Sequence, residues 1–259
     1  YPLDKRIFPW NHANCGDLNL SGERRPQSYL RETLWSDAPV SHIVVTPPVP
    51  SFPLNPNKAD WSVWDFPDVV DHWNFPGYEG KKMTVSVYSN CEQVELFLNG
   101  ESLGKQENTA DKKNTLVWEV PYAHGILKAV SYNKGGEVGT ATLESAGKVE
   151  KIRLSADRTE IVADGNDLSY ITLELVDSKG IRNQLAEELV EFSIAGDATI
   201  EGVGNANPMS IESFVANSRK TWRGSNLLVV RSGKSSGRII VTAKVKALPV
   251  ASITITQKK

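Results

Sequence analysis

A mainly β chain with two sandwich domains in succession is the architecture this sequence predicts, and three observations predict it. First, Thr84 to Gly104 (TVSVYSNCEQVELFLNGESLG) alternates in type. Val85 and Val87 open the pattern, and Val94, Leu96 and Leu98 then alternate with Glu95, Phe97 and Asn99. A period of two sends alternate side chains to opposite faces, so the stretch reads as paired strands with one face in a core. Second, Asn99-Gly100 lies between Leu98 and Leu103, and Asn-Gly tolerates the positive φ angles of a tight hairpin turn. Third, short alternating stretches bounded by turn residues recur to the end of the chain, which is the grammar of immunoglobulin-like sandwiches.

Residues 1–35 have a different pattern. Ile7, Phe8 and Trp10 form a short apolar run with strand character, and Asn11 to Gly22 is a polar loop. RRPQSYLRETLW reads as a helix, with Pro26 suited to the first helical position and Leu30 and Leu34 spaced i, i+4. One strand, one loop and one helix cannot bury a core, so this segment belongs to something larger. Residues 36–80 read as a Pro/Trp-rich connecting segment: its prolines forbid regular helix, and HIVVT (42–46) is its one strand-like run. Trp61, Trp64 and Trp73 carry more apolar surface than a free linker would, so the segment is expected to wrap a folded body.

Residues 81–147 form the first sandwich. After the opening strands, Leu116, Trp118 and Val120 alternate before Pro121-Tyr122, Leu127 to Tyr132 gives another strand, and Gly135-Gly136 turns the chain into Val138–Leu143. Residues 148–259 form the second. Its strands are expected at 151–156, 169–177, 190–195, 227–231, 238–246 and 252–256, with Gly165, Gly180, Gly196, Gly224 and Gly233 between them.

Composition excludes several classes. Of 259 residues, 40 % are hydrophobic and 23 % charged, with a net charge of −2, so nothing favours a polyanionic partner and nucleic acid is not expected. No apolar run reaches the roughly 18 residues of a membrane span. The opening YPLDKRIFPW has no initiator Met and no basic start followed by an apolar run, as expected of a processed chain or an excised piece. Cys15 and Cys91 are the only cysteines. They lie far apart in differently patterned regions, so a disulfide is not expected, and with no nearby His pair they make no zinc site.

Five longer stretches carry a resemblance. CGDLNLSGERRPQSYLRETLW (15–35) resembles the closing βα unit of the catalytic TIM barrel in glycoside hydrolase family 2 enzymes of the β-galactosidase type. VYSNCEQVELFLNGESLGK, followed by WEVPYAHGILKAVSYNKGG, is similar to the immunoglobulin-like module that follows the barrel. ADGNDLSYITLELVDSKG (163–180) and GVGNANPMSIESF (202–214) look like the further C-terminal sandwich. The match follows the family's order and is strongest for Bacteroides-type, polysaccharide-degrading gut bacteria. It implies a barrel remnant at 1–35, a carbohydrate-degrading parent in the periplasm or outside the cell, and an upstream catalytic barrel as partner. An apolar face left on residues 1–35 would favour homo-oligomers.

The same resemblance limits what this chain does by itself. Retaining glycosidases need an acid/base carboxylate and a nucleophile about 5–5.5 Å apart. In the family both are glutamates on barrel strands before the last βα unit, whereas Glu23 and Glu32 fall in or beside the helix. The expectation is therefore no catalytic residue and no cofactor in this chain, and structural or accessory modules serving a retaining β-galactosidase-like enzyme. A carbohydrate-binding module and a cell-surface adhesion protein are the competing readings.

Candidate binding residues follow. Trp10, His12, Asn14 and Asp17 sit where the last barrel strand would meet its loop, the active-site face of such a barrel. There Trp10 would offer a ring face to a sugar and the others hydrogen bonds, in the assembled enzyme only. Trp61, Trp64 and Trp73 are candidates for sugar stacking, against packing as the plainer role. Asp164, Asn166, Asp167 and Asp177 offer oxygens to calcium, but D-G-N-D lacks a calcium-loop pattern and reads as turn chemistry, so no metal site is expected. Arg219, Lys220 and Arg223 flank Trp222 and read as a solvated loop edge. No G-x-S-x-G motif frames a nucleophile.

Overall fold

The structure, a computed structural model, describes residues 8–10, 16–51 and 67–259. The chain folds as two compact units, residues 1–145 and 146–259.

Among the described residues, the first unit is a seven-strand sandwich. One sheet has the order β1-β2-β5, with β1 Ser41–Val45, β2 Lys82–Ser89 and β5 Thr115–Pro121, all antiparallel. The other has the order β4-β3-β6-β7, with β3 Gln93–Leu98, β4 Glu101–Glu107, β6 Ile126–Asn133 and β7 Gly136–Glu144. Alternation decides which side chains meet. Ile43, Val45, Met83, Val85, Val87, Leu116 and Val120 of the first sheet share a core with Val94, Leu96, Leu127 and Ala129 of the second. At Asn99-Gly100 both φ angles are positive, 51° and 87°, and β3 pairs directly with β4 across that two-residue turn.

The sequence reading of Thr84–Gly104 as one set of paired strands is corrected at Ser89–Glu92. β2 and β3 lie in different sheets, so the chain crosses the sandwich there. Asn90 holds the crossing: its Nδ2 donates to the carbonyls of Ser36 (3.0 Å) and Ala38 (2.9 Å), and its Oδ1 accepts from Val40 N–H (2.7 Å). The described part of 36–80 also does more than connect. β1 is a sandwich strand, and Trp73 and Phe75 belong to the core. Trp73 Nε1 donates to the Ala123 carbonyl (2.8 Å), and Phe75 N–H donates to the Tyr122 hydroxyl (3.1 Å).

The second unit is a nine-strand sandwich. β8 Lys151–Ala156, β10 Leu168–Val176, β12 Ala198–Gly204 and β14 Ser225–Ser232 form a sheet of order β12-β14-β10-β8. β9 Glu160–Val162, β11 Leu189–Ala195, β13 Ser218–Lys220, β15 Gly237–Val245 and β16 Ala251–Lys258 form the other, of order β13-β11-β15-β16-β9, in which β9 runs parallel to β16. Ile171, Leu173, Leu175, Leu228 and Val230 meet Val190, Phe192, Ile239, Val241 and Ile255 in its core. Three strands escaped the sequence pattern for identifiable reasons. β9 and β13 have three residues each, and β12 carries two glycines and a register shift between Ile200 and Gly202.

The helix α1 Ser28–Trp35 starts later than Pro26 suggests. Ser28 N–H bonds to the Arg25 carbonyl and Tyr29 N–H to that of Pro26, so the proline sits in a tighter turn before the helix. The Leu30/Leu34 face is corrected as well: Thr33 and Ser28 are buried, while Leu34 and Trp35 are 65 % and 85 % exposed. Residues 8 and 9 form a turn rather than a strand, and Ile7 lies outside the described residues.

Candidate functional site

The region predicted to carry sugar contacts is built on α1 and the turns before it. The chain doubles back at Asn19, whose side-chain oxygen accepts from the N–H groups of Ser21 (2.9 Å) and Glu23 (3.1 Å). That turn returns Arg24 opposite Leu18 and lets Arg25 N–H donate to the Asp17 carbonyl (2.7 Å). Asp17 is thereby set beside α1, where Arg31 Nε donates to its Oδ1 (2.8 Å). Arg24 reaches Glu32 (2.7 Å) and Ser28 Oγ (3.1 Å). Both ion pairs are exposed, so each contributes under about 1 kcal/mol and serves to position side chains more than to stabilise.

Below these ion pairs lies a stacked arrangement of three side chains. The Tyr29 ring stacks on the His42 imidazole of β1, with centroids 3.5 Å apart and planes 14° from parallel. The Arg24 guanidinium sits 3.9 Å from the centre of the same ring. Two groups so close to one ring centre must occupy its opposite faces. His42 is where it is because β1 alternates: Ile43 and Val45 point into the sandwich, whereas His42 and Val44 point toward α1, where Val44 packs with Tyr88, Val69, Tyr29 and Leu30. Burial pulls the imidazole down to about 4, against the nearby Asp71 carboxylate, while Arg24 lowers it further and Glu32 raises it. Its Nε2 is buried without a hydrogen-bond partner. Burial likewise pushes the Tyr88 hydroxyl up to about 12. At the far end of α1, Asn114 Nδ2 donates to Thr33 Oγ1 (3.0 Å), and Thr33 Oγ1 donates to the Leu30 carbonyl (2.7 Å).

Among the predicted contact residues, Trp10 is half-buried and Asp17 is exposed, with its carboxylate engaged by Arg31. His12, Asn14, Trp61 and Trp64 lie outside the described residues. Trp73 is corrected as a stacking platform. It is fully buried, with Phe75 and Tyr122 packed edge-on at 5.9 Å and 4.9 Å, so no sugar can reach its ring face.

The acidic residues of the second unit are absorbed by turns. Asp164 Oδ1 accepts from the N–H groups of Asn166 (2.7 Å) and Asp167 (2.8 Å), which hold its carboxyl below the usual range. Burial works to raise the Asp177 pKa, but the N–H groups of Gly147, Ile181 and Lys179 outweigh it and lower the pKa. Among the described residues, no group of three or more His, Cys, Asp or Glu side chains could hold a metal ion. Cys91 is a free, buried thiol. No helix among the described residues is long and apolar enough to cross a membrane.

The reading of residues 219–223 as a solvated basic edge fails at Arg219, which is fully buried in β13. Its Nη1 donates to the carbonyls of Val203 (3.2 Å) and Glu212 (3.1 Å), its Nη2 to Ser210 Oγ (3.1 Å), and its guanidinium lies 4.3 Å from the Phe214 ring centre. Arg223 instead stacks on Trp222 at 4.7 Å. The His42 stack and the Arg219 hub both escaped sequence reasoning. A histidine beside the apolar run IVV was a faint sign of the first, and the sequence gives no sign of the second.

Two immunoglobulin-like sandwiches, with a short helix before the first, define a class, tandem β-sandwich modules. The chain is similar to the C-terminal region of glycoside hydrolase family 2 members. Residues 152–254 match glycoside hydrolase family 2 C-terminal domain 5, and residues 80–139 match a domain of unknown function, DUF4982. β-Galactosidase BoGH2A of Bacteroides ovatus is 30 % identical over 253 residues, covering 97 % of this chain and 26 % of that protein. A putative β-glucuronidase of Formosa agariphila is 28 % identical, covering 78 % of this chain and 17 % of that protein. A crystal structure of a glycosyl hydrolase family 2 member from Bacteroides cellulosilyticus matches all of this chain and 33 % of its own, with 99 % identity and a TM-score of 0.98. The chain thus spans a third or less of the length of these relatives.

Proposed function

We propose that these 259 residues are the non-catalytic accessory portion of a retaining family 2 glycosidase that cleaves a terminal β-linked sugar. The observation that carries this reading is the match of the second sandwich to a family C-terminal domain within a chain that spans a third or less of its relatives. The side-chain chemistry agrees with it. Glu32 and Asp17 are engaged by Arg24 and Arg31 at exposed positions in and beside α1. Neither lies at the end of a barrel strand, where the resemblance puts the catalytic pair: Glu32 is in α1 and Asp17 in the bend before it. The exposed Leu34 and Trp35 fit a helix whose outer face is covered by the rest of a barrel. Relatives named as β-galactosidases and β-glucuronidases support β-glycoside cleavage by the parent.

The test is an assay of this chain and of the full-length parent on nitrophenyl β-galactoside and β-glucuronide, beside calorimetric titration of the chain with galactose, lactose and plant polysaccharides. The parent should turn over one of the two glycosides, and the isolated chain neither. Turnover by the chain alone would overturn the non-catalytic assignment. Saturable sugar binding without turnover would favour a carbohydrate-binding module instead. The resemblance also supports a periplasmic or secreted parent, which fractionation of the native bacterium would check.

A further inference from the structure

Residues 205–217 join β12 to β13, a 13-residue connection without regular secondary structure. Ordered loops of that length are uncommon unless they serve a function. Here order comes from inside. Arg219 is fully buried and binds Ser210 and the carbonyls of Val203 and Glu212, and the Phe214 ring lies on its guanidinium. Glu212 Oε1 accepts from Lys220 N–H (2.9 Å), and Asn205 Nδ2 donates to the Lys220 carbonyl (2.9 Å).

Of the five exposed residues of the loop, three are apolar, beside Ser213 and Asn217. Ile211 is 78 % exposed, Val215 83 % and Phe214 48 %. This arrangement inverts what an independent surface loop needs, since a charged side chain is buried to shape it while branched aliphatics face water. Stability of the sandwich alone does not account for that. A surface rigid before binding does, because fixing a loop in advance removes the ordering cost that association would otherwise carry. The occupant follows from length. The chain is at most a third of the relatives it matches, so the larger part of such a polypeptide lies outside these residues, and a covalently attached partner needs only a small apolar patch to stay docked.

We infer that the Ile211–Phe214–Val215 tip is an intramolecular docking surface for an apolar patch on the catalytic body of the parent polypeptide, which fixes the last sandwich to that body. This rests on the accessory-portion reading above.

The experiment is hydroxyl-radical footprinting of the full-length parent, with mass and concentration followed by light scattering. Val250, 57 % exposed and remote in sequence from the loop, is the internal reference. In the monomeric parent, Ile211, Phe214 and Val215 should be modified at least about fivefold less than their exposure relative to Val250 requires. The double substitution Ile211→Asp/Val215→Asp should restore modification of Phe214 and lower the parent's melting temperature. Modification in proportion to exposure would overturn the inference, as would protection seen only where a dimer forms, which would assign the surface to a second copy. Glycoside turnover, measured on the same samples, tests the accessory reading separately, because the footprint does not depend on it.

Discussion

At the scale of single residues, His42 couples the stability of the first unit to pH. Its imidazole is neutral in the fold, held down to about 4 mainly by burial against Tyr29. Above about pH 6.5 folded and unfolded forms are both neutral there and the group contributes no pH dependence. As pH falls from about 6.5 to about 4 the unfolded chain takes up the proton first, so stability is lost across that window, by about 3 kcal/mol at most. Denaturant titrations at pH 7 and pH 4.5 should show that loss, and His42→Phe, which keeps a ring against Tyr29, should show a smaller one. Equal losses in the two proteins would remove His42 as the cause. Gly125 makes a second case. Its φ is 146°, and a Cβ there would fall 1.8 Å from Asn99 Oδ1, the atom that accepts from Ile126 N–H at 2.8 Å. Gly125→Ala should therefore cost more than about 1 kcal/mol, and an Asn99→Gly background should recover part of it by removing the collision while leaving the backbone strain.

At the scale of elements, α1 shows how a short helix without strong end signals is retained. It has no side-chain N-cap bond and no acidic first turn, and eight residues are too few to hold a helix in water by propensity. Tertiary contacts hold it: Asn114 to Thr33 at one end, and the Tyr29–His42 stack at the other. Asn114→Ala should accelerate amide exchange across Ser28–Trp35 at least about tenfold while the exchange of β10 and β15 is unchanged. Uniform acceleration would mean that Asn114 supports the whole molecule instead. The composition of α1 suggested a Leu30/Leu34 face, and that failed for a physical reason. The i, i+4 pattern marks two residues on one side of a helix but does not say whether a partner is present to cover them, and Leu34 faces water.

At the scale of the whole molecule, each unit has its own core, and residues 146–259 share two complete sheets. A chain of residues 146–259 alone should unfold in one cooperative step with a near-native near-ultraviolet signal, checked by thermal melting and circular dichroism. A broad, non-cooperative melt would show that this sandwich depends on the first unit.

Alternation by itself determined most of the strands and the placement of their apolar sides, because period two is a local property that each stretch carries alone. The Asn99-Gly100 hairpin was legible for the same reason: two positive φ angles need residues that tolerate them. The resemblance of residues 15–35 and of the later motifs also lay in the sequence and supplied the family. Tertiary structure decided the rest. It sent β2 and β3 to different sheets through the Asn90 clamp, enclosed Trp73 among Phe75 and Tyr122, stacked His42 on Tyr29, and buried Arg219 beneath a loop that shows its apolar side to water. Each of those outcomes depends on which distant groups arrive at the same place, and side-chain type and spacing carry no record of that.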